Sequence, residues 1–245
     1  MIKLGNNNIG KIYLGSNSIG KAYYGSDLVF QKGSSPTPPG PPVGVVFYDC
    51  LVFDGTAYID TDIIPPTDAS FRVRLGDETV KAVQRCFGLT ATSGTIAMHY
   101  STSTNSTTRA FNVYYGDSNG FVWSGPANSF STTRYRFILT PNLVGWGENT
   151  THTFTKGSGT PSGPITFGTN TGHSGQAYTG IMETFQIYGS DAQNVTTYDG
   201  FGSYTPVYTL RPCTYNGEAG FWCVETSTFY GNTAGSGTLT VQNNS

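Results

Sequence analysis

The residues of this chain best suited to chemistry are its carboxylates, histidines and large aromatics, and their spacing is informative. Hydrolysis of a glycosidic bond uses two carboxylates roughly 5–10 Å apart across the scissile linkage. The glutamates are Glu78, Glu148, Glu183, Glu218 and Glu225, and none has an acidic residue at i+2 or i+4. His99, His152 and His173 are far apart and read as surface or turn residues. No Cys/His spacing for zinc is present. The sequence is therefore read as non-enzymatic. Sugar binding has more to stand on. Trp123, Trp146, Tyr114 and Tyr115 lie in or beside turn signals, and Asn142, Glu148 and Asn149 flank Trp146. The candidate carbohydrate-binding set is Trp146, Glu148, Asn149, Tyr114 and Trp123. A tryptophan between Gly145 and Gly147 has two readings: an exposed ring that stacks on a sugar, or a ring folded onto its own sheet. Trp222 reads as core.

The elements that must position these side chains are strands. Charged residues make up only 11% of the chain and aromatics 14%, so there is bulk to bury and no resemblance to a disordered tail. The 32 glycines and 13 prolines work against long helices. The 35 threonines, β-branched, favour strands. Phe71-Arg72-Val73-Arg74-Leu75 alternates apolar and charged, as a half-buried strand does. Phe111–Tyr115 and Tyr135–Leu139 look similar. In Thr179–Tyr188, Phe185 and Ile187 share a face and Met182 is out of step, which predicts a bulge near Glu183. Turn signals recur at Asp117–Gly120, Pro141-Asn142, Gly157–Gly159, Thr169–Gly172 and Gly189–Asp191. Short strands so spaced over about 200 residues read as one sandwich or jelly roll, assigned to 45–245.

Ahead of it, Lys3–Lys11, Tyr13–Lys21 and Tyr23–Phe30 repeat every ten residues, with glycine at 5, 15 and 25. The expected structure is a meander of strands at Ile2–Leu4, Ile9–Leu14, Ile19–Tyr24 and Leu28–Gln31, with Gly/Asn/Ser turns between. About 30 residues bury too little to be stable alone. Residues 1–32 must dock on something, and the Gly/Pro-rich spacer 33–44 favours copies of the chain or a partner over the following domain. The attachment candidates are Ile2, Leu4, Ile9, Tyr13, Leu14, Ile19, Tyr23, Tyr24, Leu28 and Phe30.

The formal charge is −2 and the seven arginines are scattered, which argues against a nucleic-acid partner. No run of eighteen apolar residues predicts a membrane span. The first residues lack the apolar stretch of a secretory signal, so folding in a cytoplasm is expected. In that compartment Cys50, Cys86, Cys213 and Cys223 are expected as buried thiols, with a Cys213–Cys223 pair left open. The triplets starting at Asn105, Asn149 and Asn194 then read as chance products of a Thr-rich chain.

Four segments resemble known proteins. Phe53-Asp54-Gly55-Thr56-Ala57-Tyr58-Ile59-Asp60-Thr61 is similar to the opening strand pair of concanavalin/laminin-G-like domains, and Gly175–Tyr188 to their late strand. The ending, Leu210–Thr238, and the N-terminal repeats resemble appendage proteins of crAss-like Bacteroides phages, including head fibres. The resemblance implies an all-β, concanavalin/laminin-G-like antiparallel jelly roll behind a small β-meander. It implies a virion structural protein, made in the host bacterial cytoplasm, in a head or tail fibre or decorating the capsid. Its partners would be capsid or tail proteins, its own copies as a homotrimer, and host-surface or mucus glycans. No cofactor is expected, except that some laminin-G-like domains bind calcium, for which Asp60 and Asp62 are a weak start, since calcium takes six to eight oxygens. Such folds also host glycosidases, for which Glu183, on the matching late strand, is the best single candidate. A carbohydrate-active enzyme and a bacterial surface adhesin or lectin are the alternative functions.

Overall fold

The structure is a computed structural model that describes residues 42–76, 83–102, 109–117, 123–124, 135–147, 150–169 and 177–243, together with paired strands within the first 31 residues. The chain divides into two compact units, Met1–Val43 and Gly44–Ser245.

In the first unit β1 (Lys3–Leu4) pairs with β2 (Asn7–Asn8), β3 (Ile12–Leu14) with β4 (Asn17–Ile19), and β5 (Lys21–Tyr24) with β6 (Asp27–Gln31), all antiparallel. The four-strand meander is thereby corrected to three separate hairpins, one per ten-residue repeat. Asn7-Asn8 and Asn17-Ser18, expected as turns, are strand. The reason is turn length: the registers leave only Gly5-Asn6, Gly15-Ser16 and Gly25-Ser26 between paired strands, and glycine in first place suits a two-residue hairpin connection. Of the attachment candidates, Leu4, Tyr13, Leu14, Ile19, Tyr23, Tyr24, Leu28 and Phe30 lie in these strands; Ile2, Ile9 and most of the spacer lie outside the described residues.

The second unit begins with β7 (Val45–Phe47), β8 (Cys50–Asp54), β9 (Ile59–Asp60), β10 (Ser70–Gly76), β11 (Val83–Thr90) and β12 (Thr95–Thr102). It continues with β13 (Arg109–Asp117), β14 (Trp123–Ser124), β15 (Tyr135–Thr140), β16 (Leu143–Trp146), β17 (Thr150–Thr153) and β18 (Thr166–Phe167). The last strands are β19 (Thr179–Met182), β20 (Phe185–Tyr188), β21 (Tyr208–Tyr215), β22 (Glu218–Cys223), β23 (Thr228–Gly231) and β24 (Leu239–Gln242). They form two antiparallel sheets. One runs β17-β16-β15-β10-β20-β21-β22-β23, with β19, β8, β24 and β7 attached beside this path; the other runs β14-β13-β12-β11-β18-β9.

Alternation explains the core. Phe71, Val73 and Leu75 of β10 are fully buried, whereas Arg72 and Arg74 are only half-buried and face outward. Aromatic rings bridge the two sheets: Phe185 meets Phe87 at 5.0 Å and Phe167 at 4.9 Å between ring centroids, and Phe167 meets Phe221 at 5.2 Å. Each fully buried ring contributes about 1.5–3 kcal/mol. The predicted bulge is present. β20 pairs Arg72 with Gln186, but β19 pairs Leu75 with Met182, so one extra residue sits between them at Glu183-Thr184. That extra residue lets both Met182 and Phe185 face the core.

All four cysteines are buried, and none is in a disulfide. Cys213 packs with Val45 and Trp222 on the outer face, whereas Cys223 joins the main core on the inner face. Trp222 is itself buried. The Asp54-Gly55-Thr56 segment of the family-like opening is a clamp. Asp54 Oδ1 accepts from the Thr56 and Ala57 amides and the Thr56 hydroxyl, and Oδ2 accepts from the Thr238 amide. Burial by itself would raise this carboxyl; the amide and hydroxyl donors outweigh it and hold it below its ordinary value.

Candidate functional site

The first sheet presents Arg72, Arg74, Arg136 and Ile138 on its outer face, because their neighbours in β10 and β15 fill the core. The segment following β20 covers part of that face. Its two short 3-10 turns, Ser190–Ala192 and Asp199–Ser203, place Ala192, Val195 and Phe201 on Ile138, Leu143 and Tyr188, a second small apolar cluster. Tyr188 and Phe201 stack with centroids 4.5 Å apart.

Between this flap and β16–β17 lies a shallow depression, open to solvent. Arg136, Ile138 and Gly145 form its floor, Thr150 and Thr151 one side, and Thr196, Thr197 and Tyr198 the other, with Trp146 and Gly147 at the rim. The floor requires glycine at 145: a Cβ there would meet Ile138 Cγ1 at 2.7 Å and Thr151 Cγ2 at 3.3 Å. Gly147 serves a different need, since its φ of +67° opens the turn that follows β16.

The walls carry charge. The Tyr198 ring lies under the Arg72 guanidinium at 4.0 Å and near that of Arg136 at 5.2 Å. Arg136 Nη1 donates to Asp199 Oδ2 at 3.0 Å, Arg72 Nη1 donates to Gln186 Oε1 at 2.9 Å, and Arg74 faces Glu183 at 3.6 Å. Burial raises the Tyr198 phenol; the charges of Arg72, Arg74 and Arg136 pull it down and that of Glu183 pushes it up. Arg72 Nε and Glu183 Oε1 are buried without a protein hydrogen-bond partner. The arrangement is a shallow, polar depression edged by the Tyr198 ring.

The structure distributes the sequence candidates over two sheets. Trp146 ends β16 on the same face as Val144, half-buried against the main core, and reaches the rim of the hollow. Glu148 and Asn149 lie outside the described residues. Tyr114 is half-buried on the other sheet, its ring 5.5 Å from the Arg85 guanidinium. Trp123 is in β14, paired with Val113 at the edge of that second sheet. Tyr114 and Trp123 thus belong to a different sheet from Trp146. Asp60 Oδ1 accepts from the Thr166 hydroxyl at 3.0 Å, and Asp62 accepts from the Tyr230 hydroxyl. Among the described residues no group of three His, Cys, Asp or Glu is placed to hold a metal.

Glu183 sits at the bulge beside Arg74. His152 is exposed on β17, His99 lies in β12 and His173 outside the described residues. Gly116-Asp117-Ser118-Asn119-Gly120 carries the letters of a serine nucleophile elbow; Gly116 and Asp117 end β13, and Ser118–Gly120 lie outside the described residues. Arg136, Tyr198, Asp199 and the four threonines were missed as site residues. The outward position of Arg136 was readable from the alternation of Tyr135–Leu139; the others carry no periodic signal.

The topology has counterparts among solved structures. A protein from Bacteroides ovatus ATCC 8483, provisionally described as carbohydrate-binding, superposes with a TM-score of 0.51 at 7% identity, over 81% of this chain and 61% of its own length. A heptameric SAP-like pentraxin from Limulus polyphemus gives a TM-score of 0.47 at 13% identity, over 62% of this chain and 80% of its own. The fold is an antiparallel β-sandwich of the jelly-roll type. No protein-family model and no curated protein matches the chain. Among the described residues, no helix is long and apolar enough to cross a membrane.

Proposed function

We propose that the jelly roll is a carbohydrate-binding module of a virion appendage, with the N-terminal hairpins as its attachment segment. One observation carries the binding half: beside the flap, β15–β17 form a shallow depression that joins threonine side chains, a guanidinium and the ring of Tyr198. Sugars are held by that combination, with aromatic surface for the ring and hydrogen-bonding groups for the hydroxyls. Among the described residues, the acids beside these arginines, Glu183 and Asp199, each face an arginine and not one another, which suits binding better than glycoside hydrolysis.

The attachment half rests on the three short hairpins. Two-stranded pairs of two to five residues per strand need a partner surface, and tandem copies suit a repeated or oligomeric one. Capsid or tail proteins of a phage, and copies of this chain in a homotrimer, are the partners this reading names. Two measurements test the function. A glycan array probed with the full chain gives binding that Tyr198→Ala abolishes; an array blank for the folded wild type rejects the lectin role. Phage particles assembled with a chain lacking residues 1–43 lack the appendage; normal incorporation of that truncated chain rejects the attachment role.

A further inference from the structure

Arg136 is the charged group presented at the floor of the hollow, and its present partner holds it weakly. Its side chain is 31% exposed, and that of Asp199 is 74% exposed. The ion pair uses one guanidinium nitrogen and one carboxylate oxygen. Exposed pairs of this kind contribute little, because water competes for both groups. A guanidinium has five N–H donors in a planar fork, matched to two oxygens of a carboxylate or sulfate.

The surroundings hold this fork in place. The Tyr198 ring supports it from 5.2 Å, and Arg72 lies on the same ring at 4.0 Å. Around Tyr198, among the described residues, stand Arg72, Arg74 and Arg136 against Glu183 and Asp199. Thr151 on one side and Thr196 and Thr197 on the other line the hollow, each with a hydroxyl that can donate to a sugar oxygen. Asp199 therefore occupies Arg136 as a ligand anion would, on a short 3-10 turn of the flap.

We propose that the hollow selects saccharides bearing an anionic group, a uronic-acid carboxylate or a sulfate ester, which displaces Asp199 from Arg136 while the threonines hold the sugar hydroxyls. This inference rests on the glycan-binding reading above and specifies its ligand class.

The test is calorimetric titration of the full chain with three probes of equal length: a uronic-acid oligosaccharide, a sulfated one and a neutral one. Wild type binds one of the anionic probes about tenfold or more tighter than the neutral probe, the worth of one charge-assisted hydrogen bond. Whichever anionic probe binds identifies the anion. Arg136→Gln removes the preference for it, and Asp199→Asn strengthens its binding by freeing the fork. If Arg136→Gln fails to fold, Asp199→Asn decides, since Asp199 is exposed. Equal affinity for neutral and anionic probes, lost in Tyr198→Ala, overturns the anionic preference and leaves the glycan reading standing. Anionic binding that is unchanged in both Arg136→Gln and Asp199→Asn overturns the role of Arg136. No binding of any saccharide rejects both readings.

Discussion

Replacing Phe185 by alanine should be among the most destabilising single changes in the sandwich. The side chain is completely buried. Its ring meets Phe87 at 5.0 Å and Phe167 at 4.9 Å on the opposite sheet, and Phe71 at 6.0 Å on its own. Truncating a buried phenylalanine costs about 3–5 kcal/mol, the upper end applying where neighbours cannot collapse into the space. Those neighbours are themselves fully buried rings on paired strands, so the cavity should persist and the upper end is expected. For a unit of this size, about 2–4 °C of melting temperature is lost per kcal/mol, hence a fall of roughly 6–20 °C. Chemical denaturation followed by tryptophan fluorescence gives the free energy, with Val46→Ala, at a residue 53% exposed, as the control expected to stay within about 0.5 kcal/mol. A loss below about 1.5 kcal/mol for Phe185→Ala would mean that the two sheets do not close on this ring.

Three further expectations address the hollow, the clamp and the thiols. Gly145→Ala should cost about 1–3 kcal/mol in denaturation, because its Cβ drives into Ile138, and it should also weaken saccharide binding by raising the floor. Asp54→Asn should lower the melting temperature at pH 7. The Asp54 carboxyl lies below its ordinary value, so its contribution is complete above the unfolded carboxyl's pKa and is lost as pH falls through the folded one; the gap between wild type and variant should narrow below about pH 4 in melts run across pH. Burial pushes the Cys213 thiol up to about 12, so in the native protein at pH 8 a thiol reagent should label it far more slowly than in the denatured protein.

The sandwich was legible because burial imposes alternation. Phe71, Val73 and Leu75 announce β10, and the misfit between Met182 and Phe185 locates the bulge at Glu183-Thr184 before any coordinates are seen. The hairpins were half legible. The ten-residue period was visible, but its phase was misread because asparagine suits turns and strand ends alike, while the glycine pairs set the connection. The hollow was the least legible. Tyr198 and Asp199 come from the irregular segment between β20 and β21, where no period marks which side chains face the sheet. The Gly145-Trp146-Gly147 triplet has structural reasons for each of its residues. The tryptophan ring lies against the core, while the glycine before it clears the floor and the one after it makes the turn.

A saccharide bound between β15–β17 and the flap would change the surroundings of the backbone amides there. Titrating isotope-labelled chain with the anionic oligosaccharide, while following assigned backbone amides by NMR, tests it most directly. The account predicts shifts concentrated at Gly145, Thr151, Thr197, Tyr198 and Asp199. Shifts centred on Tyr114 and its neighbours in β13, on the opposite sheet, would contradict it.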